Sequence, residues 1–196
     1  MKAKNVVVFI ALVLVLFQGC VPSIHPLYTK DKLVTNEKVV GIWKTDAVES
    51  DFKSEWHFTE NSDGSYHLIY YDTQGTPGIF DAHLIRLGEH YFFNFLPITG
   101  YNQVDPQKFN EFEALHFHPM NTFAKVIIED DQIGLSMFNG DFLEKLLKQN
   151  RIRIKHEKVE DSYVLTASSK ELQKFVLKYA EDEDAFPEPE MLVKSL

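Results

Sequence analysis

Between Val39 and Phe138 the chain breaks into short runs in which apolar and polar residues alternate, and this rhythm limits the fold more than any other feature. Neighbouring side chains on a strand point to opposite faces, so a period of two marks a strand with one buried face. The runs are 39–48, 54–58, 65–71, 79–87, 90–96, 112–118, 122–129 and 132–138. Trp56 and Phe58 share a face of the second; Tyr66, Leu68 and Tyr70 of the third; Phe80, Ala82 and Leu84 of the fourth. Asn61, Asp63 and Gly64 mark one turn, Gly75, Pro77 and Gly78 the next, and Gly88-Glu89 a tight hairpin link. The 16 Phe and 8 Tyr residues suit a strand-rich body. Runs joined so closely form an antiparallel meander. An open meander leaves apolar edges in water, and closure removes them. The expected fold is therefore mainly β, an antiparallel meander barrel of about eight strands.

Two amphipathic helices are predicted as cover near the C-terminal end. In 141–150, Phe142, Leu143, Leu146 and Leu147 share a face and Asp141 is placed to cap. The second helix starts at Ser168 with Glu171 as its capping-box partner. The stretches 152–159 and 162–167 between them read as an extra hairpin. The segment EDEDAFPEPE (181–190) is acidic and broken by proline, which predicts a solvated tail over 181–196.

The N-terminal residues carry a different signal. Lys2 and Lys4 precede an apolar run from Val6 to Phe17, too short to span a hydrocarbon core comfortably. This is the layout of an export signal over 1–19. It ends at Cys20, the sole cysteine. A thiol there can carry a diacylglycerol, and the amine freed by cleavage can carry a further acyl chain such as palmitate. Residues 20–38 then read as a lipidated tether and lead-in, with Ile24, Leu27 and Tyr28 docking on a single domain over 39–180. The formal charge of −9 becomes −11 once Lys2 and Lys4 are removed. No basic cluster stands out against it, so the surface is expected to repel nucleic acid and acidic headgroups.

Phe17-Gln18-Gly19-Cys20 resembles the lipobox of bacterial lipoproteins. Gly41-Ile42-Trp43 resembles the Gly-X-Trp signature of lipocalins and related calycin barrels. With Pro26-Leu27-Tyr28 and Thr166-Ala167-Ser168, the chain is similar to a group of uncharacterised bacterial lipoproteins. The resemblance implies a lipocalin-like barrel whose Trp43 plugs the base. It also implies an anchor in the bilayer through acylated Cys20, in the bacterial cell envelope and at the outer membrane. It implies no reaction. The lipocalin tryptophan packs against an arginine near the last strand; here Arg151 and Arg153 lie past the first helix.

Two sets of residues can carry chemistry. His116 and His118 share a strand face, and with His83, which has Asp81 on its own face, they could chelate zinc or copper. Trp43, Trp56, Tyr66, Tyr70, Phe80 and Phe92 could line one cavity for a small apolar or flat ligand. The same aromatics could instead fill the barrel, which leaves a structural or protein-binding envelope lipoprotein. No nucleophile elbow, glycine-rich phosphate loop or zincin pattern is present, so no catalytic residue and no cofactor is assigned.

Overall fold

A computed structural model describes residues 21–46, 53–98, 119–160 and 162–195. The signal segment with Cys20, and the expected strand 112–118 with His116 and His118, lie outside the described residues. The chain folds as a closed antiparallel barrel whose strand order is β1-β10-β7-β6-β5-β4-β3-β2. The meander comprises β1 (Gly41–Thr45), β2 (Glu55–Glu60), β3 (Tyr66–Tyr71), β4 (Pro77–Leu87), β5 (His90–Pro97), β6 (Thr122–Ile128) and β7 (Gln132–Met137). Helix α1 (Gly140–Lys148), the hairpin β8 (His156–Val159) and β9 (Ser162–Leu165), and helix α2 (Ser169–Lys178) follow. Strand β10 (Glu190–Lys194) then slots between β1 and β7 and closes the ring.

That closing strand corrects the expected tail. Residues 181–196 are acidic, but Ala185, Phe186 and Leu192 are buried. Asn139 holds the segment by donating its backbone N–H to Ala185 O and its side-chain amide to Asp184 O. Asn139 also caps α1 by accepting from the Asp141 N–H, so the cap sits two residues earlier than expected. Helix α2 starts as read: Glu171 accepts both the backbone N–H and the hydroxyl of Ser168.

The barrel wall separates two cores. Inside lie Val39, Trp43, Phe58, Tyr66, Leu68, Leu84, Phe93, Phe95, Val126, Ile133, Leu135 and Leu192 among others. Outside, Ile85, Leu87, Phe92 and Phe123 on the wall meet Phe142 and Leu146 of α1, Leu172, Phe175 and Val176 of α2, and Phe186. Strands β4 to β6 are therefore buried on both faces, which accounts for the run Phe92-Phe93 with no polar break. Gly88 has φ +60° and opens the two-residue turn from Leu87 to His90, a place where such turns favour glycine.

The lead-in is a strap laid across the outside of this wall. Ser23 bridges Asn121 on one side and Leu165 on the other. The Leu27 N–H donates to Asn94 Oδ1 at 2.8 Å, and Asn94 Nδ2 donates to Asn121 Oδ1 at 2.9 Å. Tyr28 stacks on His83 at 4.1 Å between ring centroids. Leu27 docks as expected, whereas Ile24 stays 46 % exposed because its backbone, not its side chain, is what Leu165 holds. Asn94 is fully buried, so Asn94→Ala strands the Leu27 N–H and Asn121 Oδ1; urea unfolding should show a loss of about 2 kcal/mol.

Candidate functional site

One end of the barrel is sealed. The strap passes into a 3-10 turn at Glu37–Val39, and the Trp43 indole turns back toward it, with Nε1–H donating to Val39 O at 2.9 Å. Tyr66 closes the same end: its hydroxyl accepts the Asn36 N–H at 2.8 Å and donates to Asn36 O at 3.2 Å. Lys194, opposite Trp43 on β10, sets its ammonium 5.0 Å from the indole centroid. Gly41 makes room for the Lys194 stem, since a Cβ there would lie 2.9 Å from Lys194 Cε. Above this plug, Phe58, Leu68 and Phe93 fill the middle of the barrel, with the Phe58 and Phe93 rings stacked 5.4 Å apart.

The other end is built differently. Where β1 stops and β2 starts, the inner-face residues Trp56, Tyr70 and Phe80 are only half-buried. Trp56 packs on Tyr70 at 4.7 Å and on Phe95 at 6.0 Å between centroids. A chain of polar groups runs along one side of them. Thr45 Oγ1 donates to Glu190 Oε1 at 2.8 Å. That assignment leaves Ser54 as donor in its 2.6 Å bond to Thr45 Oγ1, and the Trp56 indole N–H donates to Ser54 Oγ at 3.3 Å. Burial pushes the Tyr70 hydroxyl up, and the negative charges of Glu190 and Asp72 add to that. It therefore stays neutral at physiological pH. Among the described residues, this end of the barrel, called the mouth below, offers aromatic walls, neutral hydroxyls and one carboxylate.

The six aromatics picked out by alternation do not line a single cavity. Trp56, Tyr70 and Phe80 meet at the mouth. Trp43 and Tyr66 belong to the sealed end. Phe92 lies on the outer side of the wall, against Phe186 at 5.7 Å, because its neighbour Phe93 takes the inner face. Thr45, Ser54 and Glu190 were not picked out. They come from three separated stretches, and only the closing of β10 against β1 brings them together.

His83 is held within the outer core. Its Nδ1 is 3.7 Å from Asp81 Oδ2, and among the described residues it has no hydrogen-bond partner. No group of three or more His, Cys, Asp or Glu side chains among the described residues is placed to hold a metal ion. A second concavity, an open cleft of about 470 Å³, lies on the outer face of β2 and β3 between Glu55, His57, Tyr71 and Asp72. Within it Glu55 contacts His57 at 3.0 Å and Lys44 at 2.9 Å. Those partners, His57 first, hold the Glu55 carboxyl below its usual range. A general acid needs the opposite shift.

No family model, curated protein or solved structure matches the chain.

Proposed function

We propose that the chain is a lipid-anchored lipoprotein of the bacterial cell envelope whose barrel mouth binds a small apolar or aromatic ligand. The observation that carries the binding reading is the contrast between the two ends. Trp43, Phe58, Tyr66 and Phe93 are at most 2 % exposed, whereas Trp56, Tyr70 and Phe80 stay half-buried beside the Thr45–Ser54–Glu190 chain. The Thr45–Ser54–Glu190 chain places a carboxylate beside these aromatic walls, a polar anchor for a ligand that carries a donor. The filled middle leaves the mouth as the place for a ligand.

The anchor reading rests on the lipobox-like Phe17-Gln18-Gly19-Cys20, and the strap that follows is fixed to the body through Val21, Ser23 and Leu27, all buried. It predicts two or more acyl chains on the peptide that begins at Cys20. Mass spectrometry of the membrane-extracted protein reads this directly, and an unmodified thiol ends the anchor reading.

Binding is tested with N-phenyl-1-naphthylamine, a neutral two-ring fluorophore. One saturable site is expected, with energy transfer from tryptophan. Trp56→Leu should weaken it about tenfold, as for loss of one aromatic contact. Trp43→Phe should leave affinity unchanged. Fluorescence that rises without saturation supports the alternative, an envelope protein with a filled barrel and no ligand.

A further inference from the structure

Residues 151–159 read RIRIKHEKV, four cations against one anion in a chain of formal charge −9. Taken one residue at a time the stretch looks unremarkable, but the fold turns it into a surface. Ile152 and Ile154 pack against the outer core, and Arg151, Arg153 and Lys155 between them are exposed. Alternation along an extended segment puts all three on one side. Lys155 O accepts the Thr166 N–H at 3.0 Å, so the row continues into the β8–β9 hairpin.

The strap lies along the other side of β9. The Leu165 N–H donates to Pro22 O at 2.9 Å, and the Ile24 N–H donates to Leu165 O at 2.9 Å. Lys155, where the row meets the hairpin, is thus two strand spacings, about 10 Å, from the strap, and Arg153 and Arg151 lead away from it toward the end of α1. The strap in turn begins one residue after Cys20. Ile24 and Met120, 46 % and 38 % exposed, lie opposite each other next to the antiparallel Ser23–Asn121 bridge. Within the row, Lys155 meets Glu171 at 3.9 Å, and Arg151 and Arg153 form no ion pair among the described residues.

We propose that Arg151, Arg153 and Lys155 form a membrane-docking edge that rests on the anionic headgroups of the bilayer holding the chain. The proposal takes its tether from the anchor reading above. An acyl anchor alone leaves the body free to swivel. The anionic bulk of the body is repelled by an acidic leaflet while this one edge is attracted, so the pair of forces acts as a torque. Ile24 and Met120 enter the interface beside the anchor. Each cation close to such a surface contributes about fivefold to partitioning, so the three together give about a hundredfold.

The test uses full chain extracted from membranes and reconstituted into vesicles, either phosphatidylcholine alone or phosphatidylcholine with one third phosphatidylglycerol. Hydrogen exchange of the amides over 151–155 is followed in both. The expected result is exchange at least tenfold slower on the anionic vesicles, restored by half-molar salt. The triple variant Arg151→Gln/Arg153→Gln/Lys155→Gln changes only exposed side chains and should show no difference between the vesicles. Equal exchange on both vesicles overturns the proposal. So does protection that appears in detergent and grows with protein concentration, which marks a protein–protein interface. The acylation state is read by mass on the same sample. Acyl chains on Cys20 and an uncleaved apolar segment both tether the chain just ahead of the strap, so an unmodified thiol ends the anchor reading while the exchange still decides the docking edge.

Discussion

A chain that stops at Glu188 is expected to lose cooperative unfolding altogether. Its missing part includes β10, which pairs with β1 through Trp43↔Lys194 to Thr45↔Leu192, and with β7 through Glu190↔Leu135 to Val193↔Gln132. Without it β1 and β7 face each other across two strand spacings, about 10 Å, too far to pair directly. Each then presents a free row of backbone N–H and C=O groups. The inner core loses Leu192, which is fully buried. The sealed end loses the ammonium over Trp43. Exposed edges of this kind recruit other chains. Circular dichroism should show a broad, featureless thermal transition, and sedimentation should show aggregates. A truncated monomer that melts in one sharp step would refute the account of closure.

The second large effect is at Trp43. Trp43→Ala removes the largest side chain of the sealed end, its hydrogen bond to Val39 O and its contact with Lys194. Cavity formation around a buried aromatic costs about 3–5 kcal/mol. With a urea slope of about 2 kcal/mol per molar, the unfolding midpoint should fall by about 2 M. Trp43→Phe keeps most of the volume but no donor, and should fall by less than half as much. If alanine and phenylalanine shift the midpoint equally, the hydrogen bond rather than packing holds the plug. If neither shifts it, the plug is not what seals the barrel.

Much of the wall was legible in the chain because its strands announce themselves locally. From β2 to β5 the alternation, the turn glycines and the short links are all nearest-neighbour signals, and the structure follows them closely. Alternation names the residues that share a face, but it does not say which face is inward once both are apolar. Phe92 and Phe93 are the case in point, since helices bury the outside of β5 as fully as the barrel buries its inside. β10 was hidden for another reason. EMLVK follows a run of acids and prolines and has little strand character of its own. Two waiting edges impose its conformation. The mouth was only half legible: aromatics advertise themselves, but Thr45, Ser54 and Glu190 are ordinary residues until the ring closes. The cationic row was legible as charge and not as a surface, because only the pairing of β9 with the strap shows what it lies beside.

Closure by a strand so distant from its partner also sets an order in time. β1 through β7 are synthesised and can collapse as a curved sheet long before residues 190–194 emerge, with both margins unsatisfied throughout the wait. A newly made chain in that interval is a client for whatever protects unfinished proteins. Such a late, long-range closure makes the rate at which the last strand finds its slot a factor in how many copies survive.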